Sequence, residues 1–345
     1  LSNLLGLEQL TIWDNNISSL EPISNLTNLW YLDAESNNIS DLSPVSNLTG
    51  LQDLYLGSNN ISDLSPIIGL TNLRVLDIGY NPITDITQLA QMTWLESLGI
   101  GGVNAGDISF ITPLQNLIEL SAYNNEIEDI SPLLQMSNLQ YLNIGANPIS
   151  NIELIGNMTQ LRYLGGSYLG LSDISFVSSL VNLYQLTLNN NNISDISPIS
   201  NLTGLLYLHL HNNEISSITD LQASNFNIHD KLPDNDMPLM EEHDHRSYCE
   251  EEILESYGGN QIYDIQALSG LVNLRILYLD TNHVDDISPL ENMVKLYYLS
   301  LERNNITSIE PLVNNAGLGS GDNIYLRYNY LDLTPGSTDM QHIQT

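Results

Sequence analysis

The chain has 345 residues, with 41 Asp or Glu against 8 Lys or Arg, a formal charge of −33, 42% apolar residues and one Cys. That balance excludes an ordinary nucleic-acid binder, which needs cations to displace counterions from phosphates, and disfavours an anionic membrane surface. No apolar run approaches the ~18 residues of a membrane span, and a single Cys rules out an internal disulfide.

Read in chain order, Leu1 and Leu4 occupy late positions of a repeat whose beginning lies outside the sequence. The array is therefore expected to start mid-repeat, with its N-terminal cap missing. From Leu7, a leucine recurs every 22 residues at Leu29, Leu51, Leu73, Leu95, Leu117, Leu139, Leu161, Leu183 and Leu205. Each frame follows L-x-x-L-x-L-x-x-N-x-I-x-D-I-x-P-L-x-x-L, the pattern of a leucine-rich repeat. The L-x-L portion alternates apolar and polar residues, so it predicts a short strand with leucines turned inward. The ninth position carries Asn, as at Asn37, Asn59, Asn81, Asn125, Asn147, Asn213 and Asn282. A buried Asn must satisfy its amide, and stacked turns supply free backbone groups. Ser-Pro pairs such as Ser43-Pro44 and Ser131-Pro132 follow. Ser as N-cap and Pro as first helical residue predict a short helical turn, and 22 residues leave room for little more than a 3-10 turn.

Two frames break the pattern: Val103 and Leu169 stand where the ladder Asn is expected, and Gly166 takes the place of the sixth-position leucine. Residues 1–221 thus read as the repeat array, 222–259 as an irregular acidic segment, 260–333 as its continuation and 334–345 as the start of a truncated C-terminal cap. The predicted fold class is an α/β repeat solenoid of the right-handed leucine-rich-repeat kind. Its parallel sheet lines the concave face and mostly 3-10 turns line the convex face.

The signature N-N-I-S-D-[LI]-S-P, repeated along nearly the whole chain, resembles the internalin-type 22-residue repeats of bacterial surface proteins. That resemblance implies recognition of a macromolecule by the concave side, and an extracellular or cell-surface location. Intracellular phosphatase-regulating repeat subunits are also similar, but they carry longer helices and fewer Ser-Pro starts.

Candidate sites follow from the strand positions that face outward. Positions three, five and seven hold Tyr31, Tyr55, Tyr123, Tyr141, Tyr163, Tyr207, Tyr278, Tyr298 and Tyr325, nine of the 18 tyrosines, together with Trp13. The same positions carry Asp33, Glu35, Asp53, Asp77, Glu119, Asp280 and Glu302. Rigid exposed tyrosines give contact area at small entropy cost, and the acids suit a basic, partly apolar protein; a glycan stacked on the rings is the alternative ligand. His209 and His211 also lie two apart on a strand, either as a metal pair or as polar surface residues. In the irregular segment, His243, His245 and Cys249 are the other metal candidates, against the simpler reading of an acidic loop or a locally altered reading frame. The thirteenth-position acids, such as Asp41, Asp63, Asp129 and Asp195, favour the positive end of the following turn. Calcium along that row is the one cofactor alternative; otherwise none is called for. No phosphate loop or nucleophile elbow is present, so the reading is a non-enzymatic, monomeric binding module with no nucleic-acid partner and no membrane insertion. A spacer between absent domains, or an intracellular regulatory subunit, is the alternative. Because like charges crowd the chain, moderate salt is expected to raise the melting temperature by screening. A melting temperature that is the same at low and moderate salt would refute this, and calcium acting beyond matched ionic strength would point to specific binding.

Overall fold

The computed structural model describes residues 1–202, 204–205, 207–216, 260–270 and 276–339. The described residues fall into two compact units, Leu1–Gly166 and the part from Ser167 onward.

In the first unit each frame contributes one three-residue strand: β1 (Gln9–Thr11), β2 (Tyr31–Asp33), β3 (Asp53–Tyr55), β4 (Val75–Asp77), β5 (Ser97–Gly99), β6 (Glu119–Ser121), β7 (Tyr141–Asn143) and β8 (Tyr163–Gly165). Each pairs in parallel with the next, and the central leucines stay in register, Leu10 beside Leu32, Leu32 beside Leu54, and so on to Leu164. In the second unit β9 (Gln185–Thr187) pairs with β10 (Tyr207–His209), and β11 (Ile276–Tyr278), β12 (Tyr298–Ser300) and β13 (Asn323–Tyr325) form a parallel trio. Leucines such as Leu32, Leu54 and Leu76 are fully buried. One coil cannot bury them alone; the neighbouring coil completes the layer, at roughly 1.5–3 kcal/mol per side chain before entropy is counted.

The return side is built mostly of 3-10 turns, such as Ser43–Val45, Ser109–Ile111 and Ser197–Ile199, as the short repeat predicts; a five-residue α-helix spans Glu310–Asn314. The turn starts differ from the expected Ser cap. Asp41 Oδ1 accepts the Ser43 N–H at 2.8 Å, and Oδ2 accepts the Ser43 hydroxyl at 2.8 Å; Asp63 and Ser65 repeat the arrangement. The thirteenth-position Asp is therefore the capping residue, and Ser, the first residue of the turn, donates to it. These hydrogen bonds hold the Asp41, Asp63 and Asp195 carboxyls below the usual range.

The asparagine ladder ties coil to coil. Asn59 Nδ2 donates to the carbonyls of Leu56 and Gly57 in its own coil and of Ala34 in the coil before, and its Oδ1 accepts the Ile39 N–H at 2.9 Å. Asn81 repeats the pattern on Leu56, Ile78, Gly79 and Ile61, so the Leu56 carbonyl receives two ladder amides. That overlap explains why the Val103 coil stands without its Asn. Asn125, one coil on, donates to the Ile100 carbonyl and accepts from the N–H groups of both Val103 and Ala105. The Ile83 N–H, left without a ladder acceptor, turns to the Asn81 carbonyl at 2.8 Å.

In the second unit Asn260 stacks directly on the Asn213 coil. Its Oδ1 accepts from Asn213 N–H at 3.1 Å and Ile215 N–H at 3.2 Å, and its Nδ2 donates to the Leu210 carbonyl at 2.7 Å. One ladder step is thus spanned by 47 residues, where 22 suffice between regular coils such as those of Asn59 and Asn81. The readings that fall on 217–259, including His243, His245 and Cys249 and the 222–259 boundaries, lie outside the described residues. At the far end the buried Asp339 carboxylate accepts the N–H groups of Asp332, at 3.0 Å, and Ile309.

Shared carbonyls make the ladder unequal, and that can be measured. Asn59→Ala leaves the Ala34 and Leu56 carbonyls with Asn37 and Asn81 as donors. Asn81→Ala strips the Ile78 carbonyl of its one ladder donor, because Val103 follows. Each change also strands one N–H, so each is expected to cost roughly 1–3 kcal/mol, with Asn81→Ala worse by about 1 kcal/mol. Urea midpoints of the two variants that rank in the opposite order would contradict this account.

Candidate functional site

On the first unit the open face of the sheet carries strand positions three and five, with position seven beside them. Trp13 is 40% exposed there. Tyr31 packs on Tyr55 with centroids 5.7 Å apart, and Tyr55 packs on Val75, forming a small apolar island. Carboxylates surround it. Gly57 and Gly79 at position seven leave space for them: a Cβ on Gly57 would lie 3.2 Å from Glu35 Oε1 and 3.3 Å from Asp77 Oδ1. Glu35 and Asp77 therefore converge above a bare stretch of backbone. Asp77 Oδ1 accepts the Gly79 N–H at 2.7 Å, yet burial pushes its carboxyl above the usual range. Asp53 is raised by burial too, with Arg74 pulling the other way; Arg74 itself pairs with Glu96.

Not every predicted contact residue is available on this face. Asp33, Tyr55, Glu119 and Tyr141 are almost entirely covered by their neighbours. Glu119 is engaged as well, its Oε2 accepting the Ser97 hydroxyl at 2.9 Å. Tyr31, Glu35, Asp53, Asp77, Tyr123 and Tyr163 remain half-buried and reachable. Tyr163 reaches toward Gly165, where a Cβ would sit 2.7 Å from its hydroxyl. The position-seven glycines were missed as part of the face, although Gly57, Gly79, Gly101 and Gly145 recur there in the repeat; Gly165 stands at position five.

On the second unit Tyr207 is 40% exposed and meets Tyr184 edge-on at 6.4 Å. His209 and His211 lie on this face half-buried, and the His211 N–H donates to Asn189 Oδ1 at 3.1 Å. Among the described residues no group of three or more His, Cys, Asp or Glu could hold a metal ion, so nothing adds a third ligand to that pair. Burial, and then the neighbouring His209, pushes His211 down to about 4. Further on, Tyr278, Tyr298 and Tyr325 touch in sequence, with Asp280, Glu302 and Arg327 along position seven. Burial raises Asp280 despite bonds from Ser300 and Glu302.

Comparison with known proteins supplies the kinship. Residues 31–69, 115–157, 181–223 and 256–292 match the family described as Leucine Rich repeats (2 copies). An internalin (inlF) from Listeria monocytogenes is 30% identical over 92% of this chain and 86% of its own, with a TM-score of 0.69. A leucine-rich-repeat protein of Leptospira interrogans aligns over 99% of this chain and 82% of its own at 20% identity, TM-score 0.70. The ectodomain of the Arabidopsis thaliana receptor kinase GASSHO1/SCHENGEN3, solved with CASPARIAN STRIP INTEGRITY FACTOR 2, shares the fold at 18% identity over 96% of this chain and 45% of its own, TM-score 0.53. No curated protein sequence matches. No helix among the described residues is long and apolar enough to cross a membrane.

The lowered His211 has a defined pH signature. A histidine whose folded value lies below its ordinary one, 6.5, contributes stability that is fully present above pH 6.5 and is lost as pH falls toward about 4. Thermal melts should therefore drop over that window, and His211→Gln should flatten part of the drop. Equal slopes for wild type and variant would show that burial of this imidazole is unimportant.

Proposed function

Because this chain belongs to the internalin-like leucine-rich-repeat family, we propose that it is a non-enzymatic binding module whose open sheet face takes a protein partner, in a surface-exposed or secreted setting. The observation that carries this reading is the half-buried Tyr31, seated on Tyr55 and Val75, beside the partly desolvated carboxylates Asp53 and Asp77. Side chains mounted on paired strands lose little freedom on binding, so apolar contact there is gained at low entropy cost. Carboxylates already stripped of part of their water gain more from an incoming cation than fully hydrated ones. A partner with a basic, partly apolar surface fits both features, and the charge of −33 would speed its approach. A similar fold in Arabidopsis thaliana was solved in complex with CASPARIAN STRIP INTEGRITY FACTOR 2, and use of the architecture for binding there supports the same use here.

The test is capture of proteins from an extracellular extract by the immobilised chain, repeated with Tyr31→Ala and with Asp77→Asn. Either change at a central contact should weaken a captured partner by about tenfold or more, the scale of an interface hot spot. Capture unaffected by both changes, or mapped to the side of the 3-10 turns, would defeat the proposal. Failure to capture any partner would favour a spacer between other domains.

A further inference from the structure

We propose that the tyrosine row of the second unit is a docking site for an extended cationic peptide, whose Lys or Arg stems lie along Tyr278, Tyr298 and Tyr325 and whose charged ends reach Asp280. This rests on reading the open sheet face as the binding face, and it adds the chemistry of a ligand at a place distinct from the Tyr31 island. The three rings stand on consecutive strands, with centroids 5.0 and 5.4 Å apart and planes tilted by 43° and 42°. They form one continuous aromatic strip across β11, β12 and β13. Each ring packs against the next, so the strip is assembled before any ligand arrives. Tyr278 is 52% exposed, which leaves the strip open at that end.

Beside the strip runs a row of fixed charge. Asp280 Oδ1 accepts the Ser300 hydroxyl at 2.6 Å and the Glu302 N–H at 2.7 Å, and Glu302 pairs with Arg327 at 3.3 Å. Asp280 is therefore held in place without a cationic partner in these contacts. An apolar strip alongside an anchored carboxylate matches a side chain with an apolar stem and a cationic end. The chain makes the same contact with its own residues nearby: the Arg303 guanidinium carbon lies 4.5 Å from the Tyr328 ring centroid. A neutral sugar would stack on the rings but leave the Asp280 charge uncompensated, so the geometry favours the cation.

The experiment uses the whole chain and a fluorescein-labelled peptide of about eight alternating Lys and Val residues, with binding read by anisotropy; alternation places the lysines on one side of an extended chain. Binding should weaken by about tenfold or more in Tyr278→Ala and in Asp280→Asn, and should hold in Tyr31→Ala. Tyr278 is exposed, so its removal leaves the coil intact should Asp280→Asn disturb the Ser300 contact. Peptide binding indifferent to Tyr278→Ala overturns the proposal. So does a result in which chitohexaose, but not the peptide, binds in a Tyr278-dependent way. Partner capture that needs Tyr31 while the peptide does not bind would sink this inference and leave the preceding function standing; loss of both would sink both.

Discussion

A buried side-chain amide that serves two coils at once is the constraint on which the rest of the structure depends. Each described coil turns from its strand through a left-handed residue at position eight, for example Ser36, Ser58 and Asn124, with φ of 51°, 55° and 55°. That turn points backbone carbonyls into the interior, where no strand partner and no water can reach them. The ladder asparagines satisfy them with the same Nδ2 that crosses to the preceding coil, while Oδ1 collects an N–H from that coil. Leucine burial makes the stack favourable, but it is non-directional; the amides set its register.

Among the described residues, the two coils without that Asn show how much redundancy the arrangement contains. Val103 and Leu169 lie 66 residues apart, three coils, and each follows a coil in which Pro replaces the residue after the Asn, Pro82 and Pro148. Proline lacks the N–H that Asn60 donates to the Ile39 carbonyl at the same position. The link moves two residues on instead: Thr84 donates to the Ser62 carbonyl and Ser150 to the Glu128 carbonyl, each through both N–H and hydroxyl. Each following coil then takes a second left-handed residue, Asn104 at φ 59° and Gly170 at φ 66°. Both are residue types that tolerate this region at small cost. The departures at Val103 and Leu169 are thus the visible half of a two-coil variation that recurs three coils on, and call for no ligand.

Once the coils are stacked, the open face inherits its character from size as much as from charge. Where large residues meet on adjacent strands they cover one another, as Tyr55 is covered between Tyr31 and Val75. Where glycine follows, the carboxylates of Glu35 and Asp77 lean over the gap, and Asp77 loses water. The return side shows the contrast. Its Asp row is spent on capping the 3-10 turns through Ser N–H and hydroxyl groups, and burial contributes little to those carboxyls. Acids of one type thus serve structure on one side and leave partly desolvated charge on the other.

The leucine period, the strand positions, the short return turns and the ladder itself were legible in the amino-acid sequence, because each depends on a 22-residue spacing that local geometry translates directly into inward or outward placement. The kinship with internalin-type repeats was legible for the same reason. Which outward residues remain reachable was not. Asp33, Tyr55, Glu119 and Tyr141 sit at outward positions yet are covered, since coverage depends on side chains 22 residues away on neighbouring strands and on the glycines between them. Spacing put the Asp row at the start of the turns but not its paired bonds from the Ser N–H and hydroxyl, nor could it reveal that Asn260, 47 positions on, follows Asn213 in one ladder step. A sequence period places each residue on a face; lateral packing and hydrogen bonding between coils, which only the tertiary structure holds, decide what that residue then touches.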